Sequence, residues 1–283
     1  MREKGAVQSF ARRFLRNRAA AAGGGWVVAL ILICALVPWL AAGDPLRVGR
    51  DAFAPPGAAY WFGTDNQGRD IWSGILHGAR VSLMVGFLAA ITSSSIGIAI
   101  GAAAGFCGRW VDALLMRLTE LFQIMPRFFL ALIIISLFGA GIGKVIFVIG
   151  VLGWPPTARL IRAEFMTLKE REFIEAGRAT GMGNMALCFR HILPNALPPA
   201  VVAGSLDVAQ AILLEASLSF FGMGDPNLIS WGTMLYNAQG YLRQGWWMSV
   251  FPGTAIFLAV IAFNLMGDGI NEALNPRLRE REG

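Results

Sequence analysis

Residues 172–199 read EFIEAGRATGMGNMALCFRHILPNALPP and are the longest charged interruption in the second half of an otherwise apolar chain. Residues 169–180 have helical composition, with apolar and small side chains along one stripe. Gly181 stands where a helix would end, because glycine reaches positive φ without a Cβ clash. Asn184 is placed to cap a second short helix before Pro194 opens the next apolar run. Residues 169–194 therefore predict a helix–glycine–helix turn between two hydrophobic segments, which we name the elbow.

The composition places the chain in a membrane. Of its 283 residues 55% are hydrophobic and 15% charged, and the mean hydropathy is +0.57, too apolar for an ordinary soluble domain. The arginines cluster at the ends of apolar runs, which excludes a nucleic-acid-binding face. Cys34, Cys107 and Cys188 offer neither a disulfide framework nor a zinc spacing. His77 and His191 are too few for a His-rich metal site.

Six apolar segments are each long enough to cross about 30 Å of hydrocarbon. The third is interrupted at Pro126–Arg127, and the fourth is kinked at Pro155–Pro156. The first also fits a cleaved signal peptide, but the five segments that follow favour an uncleaved span. The predicted spans are residues 26–42, 81–106, 113–138, 142–168, 194–221 and 247–266.

The distribution of Lys and Arg predicts the orientation. With the N-terminus inside and six spans, 17 basic residues lie inside and six outside, so both termini and the elbow are expected in the cytoplasm. The predicted organisation is a cytoplasmic segment (1–25), a first transmembrane helix (26–42) and an extracytoplasmic loop (43–78). A five-helix core (79–270), which contains the elbow, and a cytoplasmic tail (271–283) follow. The fold class is an all-α membrane protein with six transmembrane helices.

No motif in the sequence indicates catalysis or a bound cofactor, and we expect no metal site. Residues 139–145, GAGIGKV, depart from a phosphate-binding P-loop in the glycine spacing and in the final Val. Residues 181–186 fit a loose dinucleotide fingerprint, but no strand precedes them. No nucleophile–base–acid arrangement is apparent. We therefore expect a chain without catalytic residues.

Acidic residues within and beside the spans leave alternatives open. Asp207 and Glu215 lie in the fifth span, eight residues apart and near one helical face. They fit either a translocation pathway or proton relay, or hydrogen bonds that fix helix packing. Asp65 and Asp70 flank Arg69 and allow a metal or carboxylate site, although a solvated turn with local ion pairing is favoured. In the second span, Gly97, Gly101 and Gly105 predict a bare face for a close helix neighbour.

The elbow resembles the EAA loop of ATP-binding-cassette (ABC) importer permeases. That pattern is Glu-Ala-Ala, three residues, Gly, nine residues and Ile-x-Leu-Pro. Gly177 replaces the second Ala here, and His191 stands where Ile is usual. The matching residues are Glu175, Ala176, Gly181, Leu193 and Pro194.

Further blocks resemble the C-type permease subunits of the dipeptide, oligopeptide and nickel importers. Residues 63–80 contain Gly-Thr-Asp-x-x-Gly-Arg-Asp and a later Gly-Ala-Arg. Residues 217–239, 246–253 and 263–279 resemble the exit of the fifth span, the outer loop, the sixth span and the tail of that family. Phe221 and Asn275 depart from its usual Leu and Asp. Four blocks in order make the resemblance specific.

The resemblance implies a subunit of the bacterial inner membrane that pairs with a B-type permease, one or two ABC ATPase subunits and an extracytoplasmic solute-binding protein. ATP and Mg²⁺ would be bound by the ATPases. Phe173, Ile174, Ala176 and Gly177 would form the docking surface, and Gly181 would set the bend. Glu175 would pair with a basic group of the ATPase or remain solvated. The solute is not specified beyond a peptide, nickel or a related small molecule.

Two other classes of protein remain as alternatives. A secondary transporter or channel would work without ATPase partners, but it usually carries internal repeats, and none is apparent. A membrane-embedded enzyme would need a reactive constellation.

Overall fold

The computed structural model describes residues 10–41 and 44–274. Helices and connecting loops make up these ranges, together with one isolated antiparallel bridge between Thr64 and Asp70. The helices are α1 (residues 10–16), α2 (Arg18–Leu40), α3 (Ile71–Cys107), α4 (Arg109–Ile124), α5 (Arg127–Phe138), α6 (Ile142–Gly153), α7 (Pro155–Lys169), α8 (Glu172–Ala179), α9 (Asn184–Met223), α10 (Trp231–Ala238) and α11 (Trp247–Leu274).

Four of these helices, α2, α3, α9 and α11, are long and apolar enough to cross a membrane. The pairs α4–α5 and α6–α7 meet the same requirement together, but they bend by 84° and 40° at their breaks. The described chain therefore has four to six candidate spans and is a helical membrane protein, as the sequence predicts. The breaks fall where the sequence indicates them, since α5 follows Pro126 and α7 begins at Pro155.

Helix α2 begins well before the predicted first span at residue 26. Asn17 caps it, because the Asn17 side-chain oxygen accepts a hydrogen bond from the Ala20 N–H at 3.1 Å. The glycines at 23–25 lie inside the helix. A Cβ on Gly23 would lie 2.8 Å from the Ala262 carbonyl oxygen, so this glycine lets α2 approach α11 closely. Residues 1–9 and 275–283, at the two predicted cytoplasmic ends, lie outside the described residues.

The glycine face of α3 packs against α7, which confirms the predicted close approach of another helix. A Cβ on Gly101 would lie 2.4 Å from the Ala158 carbonyl oxygen, far inside van der Waals contact. Gly97 and Gly105 meet Thr157 and Phe165 of α7 in the same way. The neighbour is thus a helix of the same chain.

Buried apolar side chains form separate clusters along the bundle. The largest joins α2, α3, α9, α10 and α11, and includes Phe263 and Ile212. A second joins α5 and α6 to α3 and α9. A third lies beneath the elbow, where Phe165 of α7 and Ile192 of α9 are fully buried. This third cluster fixes the position of the elbow.

Candidate coupling site

The elbow leaves α7 at a fixed point. Lys169, the last residue of α7, directs its Nζ to the carbonyl oxygens of Gly105 and Phe106 at 3.2 and 2.8 Å. These carbonyls end α3, where the helix has no partners of its own and a cation is stabilising. The first elbow helix, α8, then begins at Glu172 rather than at the predicted residue 169. The elbow is therefore attached, at the point where it begins, to the C-terminal end of α3.

Gly181 ends α8 as predicted. Its φ is +78°, and its N–H donates to the Arg178 carbonyl at 3.0 Å. The Met182 N–H donates to the Gly177 carbonyl, also at 3.0 Å. This pair of bonds is the Schellman motif, which requires the left-handed conformation that glycine adopts without strain.

The second arm of the elbow differs from the prediction. Asn184 is the first helical residue and makes no side-chain capping bond, since Gly183 occupies the cap position. The arm does not stop before Pro194. It widens into a π turn at Leu187–Ile192 and continues into the long span, so that both belong to α9. The wide turn lies directly before Pro194, which lacks the N–H that a regular helix would use. The second arm is thus continuous with a membrane helix.

Burial divides the predicted docking residues into two groups. Ile174 is 0% exposed and packs with Phe165, Leu187 and Ile192. A Cβ on Gly177 would lie 2.8 Å from Leu187. Ile174 therefore holds α8 onto the chain itself and is not part of an exposed surface, which corrects its predicted place there. Gly177 is half-buried, and its place on the docking surface stays a prediction. Leu193 is half-buried against the same cluster.

The outward side of the elbow carries Phe173, Glu175 and Ala176, all exposed, with Phe173 at 45%. Pro194 is exposed too. Sequence reasoning missed two further exposed apolar residues of the elbow, Met185 and Phe189 of the second arm, which are 66% and 59% exposed. Their spacing of four residues in a helix was the available signal, but it placed them on one stripe with the buried Cys188 and Ile192. Exposed apolar side chains on both arms are typical of a surface that another protein covers.

Asp207 lies in a polar cluster at the two helix breaks. The Ser93 hydroxyl donates to Asp207 at 3.5 Å, and the Thr157 side chain lies close to this carboxylate. Arg127, the first residue of α5, attracts Asp207 electrostatically and donates to the Ile149 carbonyl at 2.9 Å. The buried Arg127 Nε has no hydrogen-bond partner. One cation and one anion thus join α3, α5, α6, α7 and α9 within the membrane region.

Glu215 occupies a different environment. It is 3% exposed, and its carboxylate accepts hydrogen bonds from the Ser219 hydroxyl at 2.7 Å and the Ser82 hydroxyl at 3.3 Å. The Ser82 oxygen in turn accepts from the Trp231 N–H at 3.2 Å, at the start of α10. Glu215 and Asp207 therefore share no bonding partner among the described contacts, although both lie on α9.

A turn forms before α3 as predicted, but Asp65 is buried rather than solvated, and the expected ion pairing is absent from the described contacts. The Asp65 carboxylate accepts from the backbone N–H groups of Gln67 and Arg69, both at 2.8 Å. Asp70 caps α3 by accepting from the Ser73 N–H at 2.9 Å. Neither forms an ion pair with Arg69 within the described ranges. Those ranges also hold no cluster of His, Cys, Asp and Glu suited to a metal ion.

Comparison with known proteins assigns the chain to a family. A model of the binding-protein-dependent transport system inner membrane component matches residues 95–280. The chain belongs to this family. A second model, the N-terminal TM domain of oligopeptide transport permease C, matches residues 6–56. Together they confirm the resemblance to C-type subunits of ABC importers, and this binding-protein-dependent permease carries the elbow in the matched region.

Named relatives cover almost the whole permease. A peptide permease protein of Brucella suis is 41% identical over 277 residues, which cover 96% of this chain and 92% of the relative. The di/tripeptide transport system permease protein DppC of Pseudomonas aeruginosa is 38% identical over 282 residues, or 96% and 93% of the two chains.

Proposed function

We propose that this chain is the C-type permease subunit of an ATP-driven peptide importer in the bacterial inner membrane. The observation that carries the proposal is the elbow, which is anchored by Ile174 and exposes Phe173 and Ala176. The names of the relatives favour a short peptide over nickel as the solute. The chain would form half of the translocation pathway, and a B-type permease would form the other half.

The elbow supports a mechanical mechanism. ATP and Mg²⁺ would be bound by the partner ATPases. These subunits would bind the outward side of the elbow and move it as they close. Because the second arm continues into α9, and Lys169 ties the first arm to α3, a displacement of the elbow would move membrane helices directly. Each nucleotide state would then favour an inward-facing or an outward-facing pathway.

The function is tested by reconstitution. In vesicles that contain this chain, its partner permease, the ATPases and the binding protein, we expect uptake of a labelled dipeptide that requires ATP. Vesicles with this chain alone are the control, and they should show no flux. Solute flux through the chain alone would contradict the proposal and support a secondary transporter or channel.

The proposed topology has six spans and places both termini in the cytoplasm. The solute-binding protein would act on the extracytoplasmic side. This topology predicts the labelling of single cysteines placed at two exposed positions, Gly183 in the elbow and Asn227 between α9 and α10. In a cysteine-free background, Gly183→Cys should react with a membrane-impermeant reagent only from the cytoplasm, and Asn227→Cys only from outside. Reaction of both from the same side would contradict the span count.

A further inference from the structure

A basic pocket of about 260 Å³ lies where the α3–α4 turn meets the end of α7. Its lining includes three cations, Arg109, Lys169 and Arg178, and two carboxylates, Asp112 and Glu170. Of these residues, only Lys169 has a part in the elbow mechanism, through its contact with the end of α3. We name this cavity the basic pocket, and its charge and surroundings indicate what it binds.

The charges of the basic pocket do not cancel. The Asp112 carboxylate is bound by Arg162 through two guanidinium nitrogens, one of them at 2.7 Å, so this acid is already neutralised. The described contacts of the Lys169 Nζ are the two carbonyl oxygens and the ring of Phe106, and none of these carries a countercharge. Arg109 and Arg178 are exposed, and the described contacts include no ion pair for either. Glu170 alone opposes them, and the pocket therefore attracts an anion.

The backbone adds to this attraction. Gly108 and Arg109 both have positive φ, +64° and +47°, and these two residues make the sharp turn from α3 into α4. No side chain caps the N-terminus of α4, whose positive dipole end lies at the pocket, and Asp112, the acid of its first turn, is already paired with Arg162. Anionic groups are favoured in such a position.

The surface beside the basic pocket is apolar. Trp110 follows Arg109 and is 73% exposed, and Leu114, one turn further along α4, is 61% exposed. An exposed Trp next to a basic residue at the start of an amphipathic helix is typical of the membrane interface. On the proposed topology this end of α4 lies at the cytoplasmic leaflet, where anionic lipids are recognised by basic pockets between helices.

We infer that the basic pocket binds the phosphate group of an anionic phospholipid of the cytoplasmic leaflet. The guanidinium groups of Arg109 and Arg178 each donate two hydrogen bonds to phosphate oxygens, and Lys169 adds positive charge. The acyl chains lie along Trp110 and Leu114. The inference uses the proposed topology, but not the identity of the transported solute.

The test uses the purified full-length chain in detergent and measures its unfolding temperature against added lipid. Phosphatidylglycerol should stabilise the wild type, whereas phosphatidylcholine and inorganic phosphate at the same concentration should not. The double variant Arg109→Gln, Arg178→Gln should need at least tenfold more phosphatidylglycerol for the same shift. The double variant Arg171→Gln, Arg190→Gln changes the charge equally at exposed positions outside the pocket lining and should respond like the wild type.

Three results would overturn the inference. An equal response of both double variants to phosphatidylglycerol would show that the basic pocket does not bind this lipid. An equal response to inorganic phosphate would assign the pocket to a free anion. A lipid response that is unchanged in Arg109→Gln, Arg178→Gln, with loss of ATPase binding, would assign it to a protein contact. The single variant Arg178→Gln, on the surface of α8, gives the same comparison with little risk to folding. These readouts need no transport, so they are independent of the proposed function.

Discussion

Gly181→Val is expected to abolish ATPase binding and peptide uptake together, while the chain still inserts and pairs with its partner permease. No heavy atom lies within 4 Å of a Cβ built on Gly181, so the valine meets no clash. The cost comes from the backbone, because φ is +78° there and a β-branched residue in that region is strained by about 1–3 kcal/mol. Relief of the strain would break the Schellman motif and redirect the second arm.

Gly183→Val is the matched control for that change. Gly183 lies two residues further along, also has no atom within 4 Å of a Cβ, and has a φ of −64°, which valine adopts readily. Its uptake and ATPase binding should stay close to wild type, as measured by labelled peptide in vesicles and by co-purification. If both valine variants behave alike, the bend at Gly181 has no part in coupling.

The second large effect is expected in the polar cluster of Arg127 and Asp207. Arg127→Met removes the cation nearest to the half-buried Asp207, and Asp207→Leu removes the anion nearest to the half-buried Arg127. Each change should lower the free energy of unfolding by about 1–3 kcal/mol, because a charge held largely away from water without a partner is costly. The double variant should lose less than the sum of the single losses, by about 1 kcal/mol or more. Unfolding of the purified chain in SDS, followed by circular dichroism, measures the cycle.

Arg117→Met serves as the control for the loss of one cation. Arg117 pairs with Glu120 at 2.9 Å, but both side chains are largely exposed, and such pairs contribute only about 0.2–1 kcal/mol. Strict additivity of Arg127→Met and Asp207→Leu would contradict a linked cluster. Both residues would then belong to separate environments, and Asp207 would return to the pathway alternative.

The sequence predicts the features that depend on local backbone chemistry. Gly181 was identifiable because few residues other than glycine end a helix with positive φ, and the α3 glycines because their spacing bares one face. The break at Pro126 was also predictable, because proline lacks the N–H that a helix interior uses. Its 84° bend was not, because a bend angle depends on the packing of α5 against α6 and α9 rather than on proline itself.

The structure was needed to tell which elbow residues pack against the chain and which are exposed. Phe173 and Ile174 are adjacent, and helical periodicity alone does not tell which of them faces the chain, because both border the apolar stripe. The contact of Ile174 with Phe165 and Ile192 decides it. The early start of α2 was hidden for a similar reason. A glycine triplet indicates a break by propensity, but the helix continues through it here, and Gly23 allows close packing on α11.

The most direct test of the account is the amount of ATPase retained by the complex when the outward side of the elbow is blocked. Ala176→Arg places a charge and a long side chain on that side, where an interface tolerates little added volume. Ala58→Arg is the same change at an exposed alanine of the loop between α2 and α3. We predict that co-purified ATPase is lost with Ala176→Arg and retained with Ala58→Arg. Full retention of ATPase by Ala176→Arg would show that the elbow is only a connector between membrane helices.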